Sequence, residues 1–253
     1  MTNRATWILI FCLLSSSLYS QSTHIREIKF RPKPKYYNTA DSTIIYPVIV
    51  TGDPAISRSI NKVIKEQLLD PEYVKMSTRE ALRRMIGNGL TDLSYEVTYC
   101  KNGILSITID IGVVAAYSSS WQRYFNFDVR TGRYLELKDI VSNKTFEQLK
   151  AKVFADKVDS LKNYKEGELK GRLLSGEIDS VDYRWAAGIV DSDCIASIKL
   201  DNFSLSQAGI EIFDECEFPH VIRGMEPVYA LKYSYRFLFP YLRPEFQKRL
   251  ATE

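Results

Sequence analysis

The sequence predicts an α+β fold: antiparallel hairpins with helices inserted between them. Three observations carry this. Two stretches alternate apolar and polar residues on either side of a glycine turn, around Asn102-Gly103 and around Gly132. Two others space their apolar residues as helices do, Ile56–Ile64 and Phe146–Leu161. Helices and hairpins follow one another without the strand–helix–strand rhythm of a parallel sheet.

Taken in order, residues 1–20 have the layout of a secretory signal peptide. Arg4 is the positive region, Trp7 to Leu14 an unbroken apolar run, and Ser15 to Ser20 mostly small and polar. A spanning helix needs about 20 apolar residues, so the short run predicts cleavage before Gln21 rather than anchoring. Cys12 lies inside the apolar run, which argues against lipid attachment. Residues 21–42 are polar, contain His24 and end in RPKPKYYN, an extended arm. Residues 43–253 form the α+β domain.

TIIYPVIV (43–50) reads as a strand that Pro47 pushes to a sheet edge. Asp53-Pro54 opens a helix whose Ile56, Ile60, Val63 and Ile64 share one face. A second helix covers Ser77–Ile86 and stops at Gly87-Asn88-Gly89. In the first hairpin Leu93, Tyr95, Val97 and Tyr99 alternate, as do Leu105, Ile107, Ile109 and Ile111. A two-residue turn at Asn102-Gly103 would pair Tyr99 with Ser106 and split the two rows between faces. A three-residue loop ending on a left-handed Gly103 pairs Tyr99 with Leu105 and Val97 with Ile107, and keeps both rows together. Burial is expected to outweigh turn preference. The same plan, with a left-handed Gly132, pairs Phe127 with Leu135 and Phe125 with Leu137.

Asn143 caps a helix over 144–162, with Phe146, Leu149, Val153 and Leu161 on one face. The charged run 163–180 continues as a broken, exposed helix, and Val181–Val190 reads as strand. A third hairpin runs from Ile198 to Phe213 through Ser206-Gln207-Ala208-Gly209. VYALKYSYRFLF is aromatic with partial alternation, and Pro240 and Pro244 break the C-terminal stretch.

Composition bounds the function. At 45% hydrophobic and 12% aromatic the chain is a folded protein. Its formal charge is +3, or +2 once Arg4 leaves with the signal peptide, which gives no electrostatic case for nucleic acid or an anionic membrane. Cys100, Cys194 and Cys216 remain. Export allows one bridge, Cys194–Cys216; three buried thiols are the alternative.

Catalytic and metal motifs are missing from the sequence. His220, in FPHVIRG, is the one histidine outside the arm and has no nucleophile motif to serve. Asp214, Glu215 and Glu217 near Cys216 lack zinc spacing, and Asp191-Ser192-Asp193 is too short for a calcium loop. The expectation is no cofactor, no metal and no catalytic residue. A carboxylate-dependent hydrolase and a structural subunit of an envelope assembly stand as alternatives, since a carboxylate pair is defined by distance in space. The segment Tyr117–Tyr124 reads as a polar loop between strands carrying aromatic rings. Tyr117, Trp121 and Tyr124 are therefore the candidate ligand-binding residues, with closure of the core rim as the other role for Trp121. Tyr183-Arg184-Trp185 is a second aromatic cluster.

SYEVTYCKNGILSITI (94–109), FNFDVRTGRYLELKDIV (125–141) and FSLSQAGIEI (203–212) together resemble a bacterial extracytoplasmic domain of unknown function. That domain forms the outer part of a lysozyme-sensing anti-sigma factor and the accessory domain of a peptidoglycan deacetylase. The resemblance covers roughly 43–245, with NFDVRTG its most specific stretch, and implies two halves dividing near 115. It implies an α+β fold and a binding role at the cell envelope, with glycan, peptidoglycan or a protein such as lysozyme as ligand. Where family members carry a Gly-Gly-Ala-His-like loop, this chain reads GVVAAYSSSWQRY, without histidine. The expectation is a periplasmic or secreted binding protein.

Overall fold

A computed structural model describes residues 23–31, 43–114, 117–196, 198–214, 216–227 and 229–250. The segment read as a signal peptide lies outside these, as does most of the arm. The fold is α+β as expected. Strands β1 (His24–Phe30), β2 (Ile44–Val50), β3 (Leu90–Lys101), β4 (Ile104–Val114), β5 (Ser118–Asp128) and β6 (Arg133–Tyr134) form one sheet in that order. Strands β7 (Phe203–Leu205), β8 (Gly209–Ile212) and β9 (Leu231–Ser234) form a second. Neighbours pair antiparallel except β2 and β3, which meet in parallel at Ile44–Leu93. Residues flanking position 115 belong to β4 and β5, which pair at eleven positions, so the two halves of the chain share one sheet.

Two expectations near the N-terminus are corrected. His24 does not belong to a free arm: it opens β1, the outer strand of the sheet. β2 is therefore internal, although it holds Pro47. The reason is local. Ile49 turns its backbone away from β1, donating to Asn61 Oδ1 (2.8 Å) and accepting from Asn61 Nδ2 (2.7 Å). Residues alternate along a strand, so Pro47 faces the same open side, where no ladder bond is lost. Asn61 comes from helix α1 (Pro54–Leu68), capped by Asp53, which accepts from the Ala55 amide at 2.7 Å. Ile60, Ile64 and Leu68 of α1 are buried against the sheet. Helix α2 (Thr78–Gly87) follows, capped by Ser77.

The first hairpin also departs from expectation. Asn102 (φ 53°) and Gly103 (φ 76°) form a two-residue turn closed by Lys101 and Ile104, and Tyr99 lies opposite Ser106. The expected pairing of Val97 with Ile107 is nonetheless present. A β-bulge between Val97 and Tyr99 reconciles the two, because an extra residue on one strand resets the register. The turn keeps its preferred two residues and the row from Leu93 to Val97 keeps its partners. Only Tyr99 changes face, and it enters a second core with Ile104. The second hairpin repeats the lesson. Gly132 is left-handed as expected (φ 73°), but the loop holds four residues and Phe127 pairs with Tyr134, not Leu135. Leu135 and Leu137 also enter the second core, Leu137 as the first residue of helix α3 (Leu137–Ile140).

Helix α4 (Phe146–Asn163) carries the expected buried face, with Thr145 in place of Asn143 at its N-cap. It continues through a π-helical stretch, Tyr164–Leu169, into α5 (Lys170–Leu174). Val181–Val190 is not strand. Asp179 accepts from the amides of Val181 (2.7 Å) and Asp182 (2.9 Å) and starts helix α6 (Ser180–Ile189), which runs into a second π-helical stretch, Val190–Cys194. The third hairpin forms as expected, with Leu205 opposite Ile210. After β9 come α7 (Tyr235–Leu238) and α8 (Pro244–Leu250).

From α8, Arg249 reaches both turns of the large sheet. It donates to the carbonyls of Asn102 (3.1 Å) and Gly103 (2.7 Å) and to Asp128 Oδ2 (2.8 Å). Burial works against the charge on Asp128. The Arg249 guanidinium and the Arg130 amide outweigh it and hold the carboxyl below its usual range.

Candidate functional site

Tyr117 sits in the connection that precedes β5, but Trp121 and Tyr124 do not sit on a loop: β5 begins at Ser118 and runs without a bulge against β4. Alternation therefore places Ser119 and Trp121 on one side of the strand and Tyr124 on the other. Tyr124 is 6% exposed and stacks on Phe213 (centroids 4.2 Å apart), so its ring is buried rather than offered to a ligand. Trp121, opposite Ile111, keeps 36% of its surface exposed, and Tyr117 keeps 64%. The structure thus keeps Tyr117 and Trp121 at the surface and separates Tyr124 from them.

It brings a different partner to Tyr117. The His220 ring lies 4.1 Å from the Tyr117 ring, tilted by 42°. His220 opens a 3₁₀ helix, His220–Met225, and next to it Val221 is 76% exposed. Further along, Arg223 Nη1 approaches Ser119 Oγ at 3.5 Å. Sequence spacing could not have joined Tyr117 to His220, a hundred residues apart. The one signal available was that both lie in segments poor in regular alternation.

The short helix is held firmly from beneath. Ile222 and Met225 are buried in a third core beside Phe218, Ile189 and Leu161. Cys194 and Cys216 are joined as a disulfide within that core, while Cys100 is an exposed free thiol. Tyr164 Oη donates to the Met225 carbonyl, and Arg172 Nη1 to that of Gly224 at 2.8 Å. Burial pushes the Tyr164 hydroxyl up to about 12, so it stays a proton donor at neutral pH. Asp214, two residues before the bridge, forms a buried ion pair with Lys157 of α4 and accepts from the Lys199 amide at 3.2 Å. A platform fixed at this many points offers its rings to a ligand with little left to order.

Two of the remaining sequence candidates, Asp191 and Asp214, have structural partners. Asp191 pairs with Lys165 at 2.6 Å, linking the two π-helical stretches. Asp214 is engaged as above, and Glu215 lies outside the described residues. Among the described residues no group of three or more His, Cys, Asp or Glu side chains converges as a metal site, and no helix is long and apolar enough to cross a membrane.

No family sequence model matches the chain, and no curated protein matches it. Comparison of folds does find similar structures. A DUF3298 family protein from Pseudomonas aeruginosa is 13% identical, with 89% of this chain and 96% of that one aligned at a TM-score of 0.46. A DUF3298 family member from Bacteroides fragilis aligns over 88% of this chain and 94% of its own, 13% identical, at a TM-score of 0.54. The chain therefore shares the fold of that DUF3298 protein over nearly its whole length.

Proposed function

We propose that the mature chain is an exported, non-enzymatic binding protein of the bacterial cell envelope that recognises glycan, peptidoglycan first, through the Tyr117–His220 surface. The observation that carries this is the pairing itself. Two rings from distant segments meet at the surface, and the 3₁₀ helix beneath one of them is tied down by a disulfide and buried side chains. Rings presented this way supply contact area against a sugar face at low entropic cost. The Cys194–Cys216 bridge supports an oxidising, extracytoplasmic location.

The test is co-sedimentation of the chain beginning at Gln21 with insoluble peptidoglycan, with Tyr117→Ala and Trp121→Ala alongside. Tyr117→Ala is expected to weaken binding by about 2 kcal/mol, a typical hot-spot loss, with the melting temperature unchanged. Trp121→Ala separates a ligand contact from a structural one: a fall in affinity at constant melting temperature assigns it to the surface. Absence of the wild-type chain from the pellet, or retention unaffected by Tyr117→Ala, overturns the reading.

A further inference from the structure

The open side of β2 forms a second feature, away from Tyr117. Beyond Ile44–Leu93 strands β2 and β3 no longer pair, and helix α1 lies along the opening. A cleft of about 660 Å³ results, lined by both β2 and α1. Small-molecule sites commonly have about 300–1,000 Å³.

The chemistry of its walls is specific. The C-terminal end of β2 is already engaged: Asn61 serves Ile49 in both directions, and just past the strand Ser57 Oγ accepts from the Thr51 amide at 2.9 Å. At Ile49 and at the Thr51 amide the wall therefore offers a ligand no free backbone group. Val48, Val50, Pro54 and Val74 make much of it apolar. Charge is what remains. Arg26, Arg58, Lys62 and Lys65 face a single carboxylate, Glu66, an excess equal to that of the whole 253-residue chain. Few of these cations are fully neutralised. Lys65 donates to the Met76 carbonyl, Lys62 stands 3.8 Å from Glu66, and Arg58 Nε bonds the Pro54 carbonyl at 3.3 Å. Arg26, on the outer strand, has no ion-pair partner among the described residues.

We propose that this cleft binds a small organic anion with an apolar body. The body displaces water from the valine and proline walls, and the acidic group lies among Arg26, Arg58 and Lys62. A carboxylate and a phosphate monoester both satisfy this chemistry. A flat polyanion does not, because the walls between the cations are apolar.

The test is titration calorimetry on the chain beginning at Gln21, with probes kept below their micelle-forming concentrations. Decanoate and decyl phosphate carry the anion and the chain. Acetate lacks the chain, and decyltrimethylammonium reverses the charge. One-to-one binding of at least one decyl anion is expected, with no binding of acetate or the decyl cation. Whichever of the two anions binds tighter identifies the acidic group. The double variant Arg26→Ala/Lys62→Ala, both on exposed side chains, should lose tenfold or more in affinity while its melting temperature holds. Tyr117→Ala should leave this binding unchanged, which separates the cleft from the glycan surface. No binding of either decyl anion, equal binding of the decyl cation, or an unaffected double variant overturns the proposal.

Discussion

Toward the hairpin turn the two faces of strands β4 and β5 are both buried, but by different means. On the face toward α1, Leu105, Ile107, Ile109, Ile111, Phe125 and Phe127 pack against Ile60 and Ile64. On the face toward the second sheet stand Ser106, Thr108, Tyr124 and Asn126. There the contact is made by hydrogen bonds. Asn126 Nδ2 donates to the Phe203 carbonyl at 2.8 Å, and Ser106 Oγ accepts from the Leu205 amide at 3.0 Å and from Thr98 Oγ1 at 2.9 Å. The first face fills volume and tolerates repacking. The second bonds the backbone of β7 at Phe203 and Leu205, so it fixes where the C-terminal half sits. Stability and placement are divided between the two sides of one sheet.

Substitutions can separate these roles. Ile107→Ala should cost about 2–5 kcal/mol, the loss for a fully buried aliphatic side chain, measured by denaturant unfolding. A loss under about 1 kcal/mol would show that this face is not the main source of stability. Asn126→Ala should cost about 1–3 kcal/mol, because the Phe203 carbonyl is left buried without a donor. Its effect should also be local: amide exchange should rise in β7–β9 and remain slow in β4. Uniform acceleration across both sheets would contradict the division of labour.

The smallest expected effect concerns Asp128. Its carboxyl titrates below the ordinary value in the folded chain, so the native state binds fewer protons than the unfolded state. The stability it contributes is therefore present above the ordinary carboxylate value, about 3.9, and is lost as pH falls through the depressed one. Asp128→Asn should lower the melting temperature at neutral pH and remove part of its decline in acid. A parallel acid decline in both proteins would mean that the Arg249 contact contributes nothing.

The same contrast explains what was legible in the sequence. The apolar face was visible: the rows Leu93–Val97 and Leu105–Ile111, the face of α1, and both left-handed glycines are where alternation and helical spacing put them. The polar face was not. Ser106, Thr108 and Asn126 look like solvent-facing residues in a period-two pattern, yet they are buried. Assuming one buried face led to both register errors. Tyr99, Leu135 and Leu137 were assigned to the α1 side when they belong to the other core. The candidate surface was half legible for a similar reason. Aromatic content pointed to Tyr117 and Trp121, but an alternating strand turns Tyr124 the opposite way, and only tertiary contact brings in His220.

Arg249 gives the fold a late checkpoint. Its bonds to Asn102, Gly103 and Asp128 join groups 147, 146 and 121 residues apart, so both hairpin turns are synthesised long before the side chain that closes on them. Contacts this distant form only after a large loss of chain entropy. During synthesis the central sheet must wait with its two turns unlatched. Any truncation that removes α8 should leave a protein with its hairpins in place but its seal missing, more open to proteases at the turns than in its core.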